Sequence, residues 1–594
     1  MSDQIKFLFK YFFRYKVGYL IGFAAITVTN FLALLKPKVL GNAVDLLAKK
    51  NFAHTLNWYV AIFFILLISE NLFRILWRKH LMSSSRRVER DMINDFFDHI
   101  LKLDPSFYDK NSTGDLMARA TNDVASIRMM LGPGIMSIID ATVIFSISLY
   151  FLIALSPKLT FYALIPTPII IIIVGYILKN IHDNFDKVQE QYSTISTKAQ
   201  ENFSGINVIK SYNREQHEIN AFYDVTSDYV KKFMKLMSFE AGLDPVINIL
   251  IGIEIFIVLL VGGLAAISQK LTPGEFVQFI YYLNSLQWPV FALAWAANLY
   301  ERGMASLDRI KRIIDEEPTI NKTETYIKHD MNHETFTDNG AFQSGDIVFE
   351  NVSFEYNSEN PNILSEINLN IKQGTTLGVV GPMGSGKTTL LNMIARLYDP
   401  IKGKVLIGGK DIKDMPILDL RQHISFVTQE PLLFSRNIKD NLNLGRTHDP
   451  LDHNQLEESL ELADVLEEVR DFHFGFETKL GERGVRLSGG QKQRMTIARA
   501  LARKTEILML DDTLSSVDTH TEGRIINNLK KFIKKRTNII VSHRISSVKE
   551  ADNIIVLMDG KIKEQGTHSE LLAKEGFYYK LYQQQILKEN IEGM

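Results

Sequence analysis

Six apolar runs dominate the first 300 residues of the chain: roughly Val17–Leu35, Trp58–Trp77, Ile135–Leu155, Leu159–Leu178, Val246–Ile267 and Phe276–Leu299. An α-helix needs about 20 such residues to cross a bilayer, and one soluble domain has no use for six, so the pattern predicts six membrane spans. The segments 78–134 and 179–245 between them are charged and helix-like, whereas the connections at 156–158 and 268–274 are short. A polar stretch without periodicity then reads as a linker. Beyond it, short β-branched strands alternate with helices, as an α/β domain requires. The predicted architecture is therefore multi-domain. An all-α, six-helix transmembrane domain with long cytoplasmic extensions (1–317) is followed by a linker (318–345) and an α/β domain (346–594).

Charge orients this picture. Lys6, Lys10, Arg14 and Lys16 precede the first span. By the positive-inside rule the N-terminus, both long segments and the α/β domain lie in the cytoplasm, and the protein is multi-pass in the cytoplasmic membrane. Lys36, Lys38, Lys49 and Lys50, expected in the first outer loop, run against the rule. A net charge of -1 gives no basic surface for nucleic acid. The absence of cysteine excludes disulfides, thiolate zinc sites and cysteine nucleophiles. Pro166 and Pro168 should kink or loosen the fourth span. Glu70, Asp140 and Glu254 lie in or near spans, where ionisable groups are costly. Glu70 and Glu254 are read either as contacts for cationic cargo or as groups in an interhelical hydrogen bond or beyond the bilayer edge. For Asp140, near Gly132-Pro133-Gly134, the favoured reading is a hydrogen bond or a place beyond the bilayer edge. Tyr281, Tyr282, Trp288, Phe291 and Trp295 make the sixth span aromatic, which suits amphipathic cargo, lipid contact or core packing.

The α/β domain carries the chemistry. TTLGVVG (Thr375–Gly381) reads as a strand and KTTLLNMIARLYD, from Lys387, as a helix. Between them Gly381-x-x-x-x-Gly386-Lys387-Thr388 fits a phosphate loop in its required context, making this a phosphate-loop ATPase domain. Gly381, Pro382, Met383, Gly384, Ser385 and Gly386, with Lys387, Thr388 and Thr389 at the helix start, form the expected cradle for ATP. Gly384 and Gly386 admit the phosphates, while successive N–H groups and the helix N-terminus attract them. Lys387 should reach the β- and γ-phosphates, and Thr388 should place its hydroxyl on Mg²⁺. ILMLDD (Ile507–Asp512) supplies a buried strand ending in Asp511, whose carboxylate should hold the metal shell.

LSGGQKQR (Leu487–Arg494), about a hundred residues after the phosphate loop and just ahead of ILMLDD, completes a set that resembles the ATP-binding-cassette (ABC) ATPases. The six spans ahead of the cassette extend the resemblance to exporter half-transporters of the multidrug and lipid exporter family. Three local matches support it: FYDKNSTGDLMARATNDV (Phe107–Val124) and ENFSGINVIKSYNREQHEINAFY (Glu201–Tyr223) resemble the two intracellular coupling segments, and TKLGERG (Thr478–Gly484) resembles an exporter loop.

The resemblance implies further roles. Gln429, in VTQEP, resembles the glutamine that touches metal and attacking water. His543, in IIVSHR, resembles the switch histidine of the γ-phosphate, and Tyr356, in VSFEYN, resembles the aromatic that stacks on adenine. Ser488, Gly489, Gly490 and Gln491 would close on the γ-phosphate bound by an opposing subunit, so the active unit is a dimer of cassettes. SSVD (Ser515–Asp518) resembles the loop that crosses its seam.

One position departs from the pattern: Asp512 stands where the family carries a glutamate that polarises the attacking water. A base must come within about 3 Å of the proton it takes, so Asp512 either falls short by a methylene or works through an added water. This chain then looks like the degenerate-site subunit of a bacterial heterodimeric multidrug exporter, whose second half-transporter supplies the glutamate. The implied function is ATP-driven efflux of amphipathic drugs, lipids or related metabolites. The alternatives are a lipid flippase and a nucleotide-gated regulator or channel that pumps little.

Overall fold

The computed structural model describes residues 2–48, 55–268, 270–320, 342–356, 363–444, 450–481, 484, 487–514, 517, 519–533 and 536–592. Most of the expected linker lies outside these residues, as do Lys49, Lys50, Glu482, Arg483, Ser515, Ser516 and Asp518. The chain divides into two compact units: 1–98 with 116–315, and 99–115 with 316–594.

The first unit is helical. Among the described residues five helices are long and apolar enough to cross a membrane: Lys16–Ala48, Leu56–Ile100, Thr113–Leu155, Pro157–Ser204 and Glu215–Ile267. The fourth is interrupted between Leu164 and Thr167, at the two prolines. The expected sixth span is not one helix. It divides into Pro273–Ser285 and Gln287–Ile314, with Leu286 closing a tight turn through its N–H to the Leu283 carbonyl (3.1 Å). Pro289 explains the division: it has no N–H to continue the ladder and fits only the first turn of a new helix. Lys36 and Lys38 sit inside the first helix, not in an outer loop.

Polar groups in the spans are paired across helices. Glu70 binds Lys36 (2.5 Å) and Arg74. Asp140 accepts from Asn30 Nδ2 (2.8 Å) and Trp288 Nε1 (3.0 Å). Glu254 accepts from Thr167 Oγ1 (3.0 Å) beside the break in the fourth span. With Lys36 and Arg74 on its one carboxylate, Glu70 is an interhelical ion pair and not a free anion for cationic cargo.

The second unit is the α/β domain. A four-stranded antiparallel sheet has the order β2-β1-β4-β5, with β1 Ile347–Phe354, β2 Leu364–Ile371, β4 Lys402–Ile407 and β5 Lys410–Asp411. A six-stranded sheet has the order β10-β9-β3-β8-β7-β6. Its strands are β3 Thr376–Val380, β6 Ile424–Val427, β7 Ile507–Asp511, β8 Thr537–Val541, β9 Asn553–Met558 and β10 Lys561–Gly566. All neighbours are parallel except β9 and β10. Parallel strands covered on both faces must be apolar throughout, and β7 is buried at every residue. The core between the sheets holds Phe349, Val379, Leu390, Met509, Val541 and Leu557.

The segment 99–115 is fastened within this unit. Asp104 Oδ2 accepts from the Thr319 N–H (2.5 Å), the Thr319 hydroxyl (2.7 Å) and the Ile320 N–H (3.2 Å). The Tyr398 hydroxyl donates to Asp109 Oδ2 at 2.7 Å.

Candidate active site

Ligands of open parallel sheets bind beyond the carboxyl ends of the strands. Here β3, β8, β7 and β6 are successive neighbours, so the residues that follow them meet at one edge. Gly381 opens the loop after β3, His543 follows β8, Asp511 and Asp512 end β7, and Gln429 follows β6.

The loop from Gly381 to Gly386 turns into the helix Lys387–Ile394. Gly384 and Gly386 have φ of 78° and 98°, the left-handed region that glycine enters without steric cost. A Cβ on Gly386 would lie 2.7 Å from the Ile363 carbonyl, whereas one on Gly384 would meet nothing within 4 Å. Lys387 is buried and folds back over the loop, its Nζ donating to the carbonyls of Gly381 (3.0 Å) and Pro382 (2.7 Å). Desolvation lowers the Lys387 pKa, against the pull of Asp512 and Asp511. Burial raises the Asp511 carboxyl, and the Asp512 charge adds to this; the Thr388 hydroxyl, Lys387 and His543 act the other way.

Among the described residues the buried Ser385 Oγ and Asp511 Oδ2 have no hydrogen-bond partner. Burying a polar atom unpaired is costly, so each calls for a ligand. A loop of N–H groups, a lysine, two hydroxyls and an acid are the donor set that a nucleoside triphosphate and its Mg²⁺ require. The residues present fit that group.

Asp512 is also buried and takes a left-handed φ of 46°. Its N–H bonds the Val541 carbonyl (2.9 Å), and its Oδ1 accepts from the His543 N–H (3.4 Å). Gln429 is exposed, as are Pro382, Met383 and Thr388. Thr389 does not face the loop opening: its Oγ1 lies 3.1 Å from the Tyr356 hydroxyl. The Tyr356 ring packs edge-on against Tyr398 and stays 40% exposed, which leaves surface for a base.

Ser488 caps the helix Gly489–Ala502. Its Oγ accepts from the Gln491 N–H (3.2 Å), and Gln491 Oε1 accepts from the Ser488 N–H (2.9 Å), a reciprocal capping box. Gln491 Nε2 donates to Glu468 (2.8 Å). Among the described residues no hydrogen bond joins this group to the phosphate loop.

Glu522 and Arg544 were not legible in the sequence. Glu522 is fully buried, pairs with Arg544 (2.5 Å) and accepts from the hydroxyls of Ser546 and Ser547. Arg544 also donates to the Val517 carbonyl at 3.3 Å. An acid and an arginine 22 residues apart give no local sign of meeting.

Comparison with known proteins agrees with this geometry. Residues 19–290 match the family model "ABC transporter transmembrane region", and residues 364–515 match "ABC transporter". The chain is 36% identical over 595 residues to the probable multidrug resistance ABC transporter ATP-binding/permease protein YheI of Bacillus subtilis (strain 168), covering 100% of this chain and 99% of that protein. It is 32% identical over 506 residues to the ATP-dependent lipid A-core flippase of Syntrophus aciditrophicus (strain SB), covering 85% and 82%. A bacterial Atm1-family ABC exporter solved with ATP bound superposes with a TM-score of 0.77 at 23% identity, over 97% of this chain and 99% of that one, a likeness of fold.

Proposed function

Since the chain belongs to the ABC transporter family, as an exporter with transmembrane and ATP-binding domains fused, we propose that it drives amphipathic compounds out across the cytoplasmic membrane as one of two subunits. Its N-terminus and ATPase domain face the cytoplasm. The observation that carries this reading is the edge where Lys387, Asp511, Asp512 and His543 converge with two unpartnered oxygens.

ATP, when bound, would supply the phosphoanhydride whose hydrolysis powers the cycle, and Mg²⁺ would offset the phosphate charge. Lys387 leaves the Gly381 and Pro382 carbonyls for the phosphates, which restore the charge balance that burial denies it. Thr388, Asp511 and Gln429 would hold the metal. Tyr356 receives the adenine, and His543 faces the γ-phosphate. Ser488, Gly489, Gly490 and Gln491 would serve the nucleotide of the opposing subunit.

A second subunit is favoured by the membrane unit as well. Phe203, Tyr212 and Tyr223, in the second coupling segment, are 77%, 76% and 72% exposed. We take these exposed aromatic groups of a charged segment as surface open to a partner. The partner we infer is a different half-transporter with a glutamate at the position of Asp512. Asp512 is one methylene, about 1.5 Å, short of that reach, and its Oδ1 is turned to the backbone of the switch loop. A homodimer would carry two such sites.

A lipid is a second class of cargo, favoured by the likeness to the lipid A-core flippase. Inside-out vesicles carrying the complex test the reading. ATP should drive uphill accumulation of an amphipathic dye, and Lys387→Ala in this chain should reduce it. Transbilayer movement of a headgroup-labelled phospholipid without dye uptake would favour the flippase. ATP-dependent flux that only runs downhill would show a gated channel and overturn the pump.

A further inference from the structure

The backbone that carries His543 is tied down on two sides. Asp512 Oδ1 faces its N–H. On the opposite side lies Gln585, from the helix Phe577–Glu592, 42 residues further along the chain. Gln585 Nε2 donates to the His543 carbonyl at 2.7 Å, and Gln585 Oε1 accepts from the Ile545 N–H at 2.8 Å. One planar side-chain amide therefore brackets residues 543–545, using both a donor and an acceptor. Ser542 Oγ, accepting from the Arg544 N–H at 2.9 Å, tightens the same turn.

The helix that provides Gln585 is a firm mount. Tyr578 is fully buried, and its hydroxyl meets His568 Nδ1 at 2.7 Å. Glu564 Oε1 and Oε2 accept from the N–H groups of Phe577 (2.5 Å) and Tyr578 (3.2 Å), fixing the first turn to β10. The pairing at Gln585 is thus made between two anchored elements, and neither partner has to be ordered when nucleotide arrives.

We propose that Gln585 is a positioning residue for His543, holding the loop so that the imidazole faces the γ-phosphate bound by the same chain. The inference rests on the role given to His543 above and extends it. The helix beyond the cassette core takes part in distinguishing ATP from ADP. Its physical basis is leverage. Each loop residue has two soft dihedrals, and a small rotation at the His543 backbone carries the ring nitrogens out of hydrogen-bond range. Losing a hydrogen bond to a charged group weakens binding by about tenfold or more. ADP has no γ-phosphate and so loses nothing. Because the effect is on binding, it is the same whether or not this chain's own site hydrolyses.

The test uses the full-length chain in inside-out vesicles, photolabelled with 8-azido-ATP and competed with ATP or ADP, so that the ATP-to-ADP affinity ratio is read on this chain. Gln585→Ala and the longer, apolar Gln585→Met should each lower the ratio about tenfold, with ADP affinity unchanged. His543→Ala should lower it at least as much. If His543→Ala lowers the ratio and both Gln585 variants match wild type, the inference is wrong and the reading of His543 stands. If His543→Ala leaves the ratio intact, that reading fails and the inference with it. Gln585 variants that lose ADP binding in parallel with ATP binding would mark a purely structural contact and also overturn the proposal.

Discussion

Burial sets the chemistry of Asp511. Its carboxyl is pushed above the usual aspartate range by desolvation and by the Asp512 charge, and one oxygen is left without a partner. A group whose folded-state pKa is raised stabilises the nucleotide-free fold below its unfolded value, and that contribution is lost as pH rises through the folded value. In the proposed role metal binding needs the ionised form, so acid and Mg²⁺ would compete for this residue. The rise in Tm caused by Mg²⁺–ATP should therefore shrink on acidification at a pH above the ordinary aspartate value of about 3.9. In Asp511→Asn the Mg²⁺-dependent part of that rise should be nearly absent at every pH. A wild-type response from Asp511→Asn would remove this residue from the metal site. The acid, its strand and its place in the chain were legible from ILMLDD. The competition was not, because it arises from the depth of β7 and from charges brought in by two other elements, Lys387 after β3 and His543 after β8.

At the scale of elements, the phosphate loop separates two kinds of glycine. Gly386 combines a positive φ with a carbonyl 2.7 Å from any added Cβ, while Gly384 has a positive φ and open space. Gly386→Ala should cost about 1–3 kcal/mol and displace the N–H groups that cradle phosphate. Gly384→Ala bears only the backbone strain. Thermal unfolding and nucleotide labelling of the two variants should differ in that order, and equal losses would contradict the geometry. Strands and the phosphate-loop helix were readable because their apolar patterns are local. The division at Leu286 turns on a single proline, Pro289, inside an apolar run that composition alone reads as continuous. Lys36 looked like a loop charge because its partner, Glu70, lies 34 positions away on another helix. Residues 99–115 group with the ATPase unit through Asp104 and Asp109, whose partners stand more than 200 positions on.

At the scale of the whole molecule, the family, the fold and the order of domains were legible from motif spacing and six apolar runs. Two features were visible only in part. LSGGQ announced a cassette, yet the reciprocal capping box that fixes Ser488 and Gln491 had to be seen in the structure. Asp512 announced a departure, and the bond from the His543 N–H shows where its carboxylate is held. A residue too far from the water has little transition-state stabilisation to lose, so under the proposed pairing hydrolysis should belong chiefly to the partner's Walker side. The steady-state ATPase rate of the complex carrying Asp512→Asn, purified with its second subunit and saturated with Mg²⁺–ATP, measures this most directly. The expected result is a rate within about twofold of wild type, since removing a working base typically costs about a hundredfold. A hundredfold loss from Asp512→Asn alone would make Asp512 a working base and the two sites equivalent.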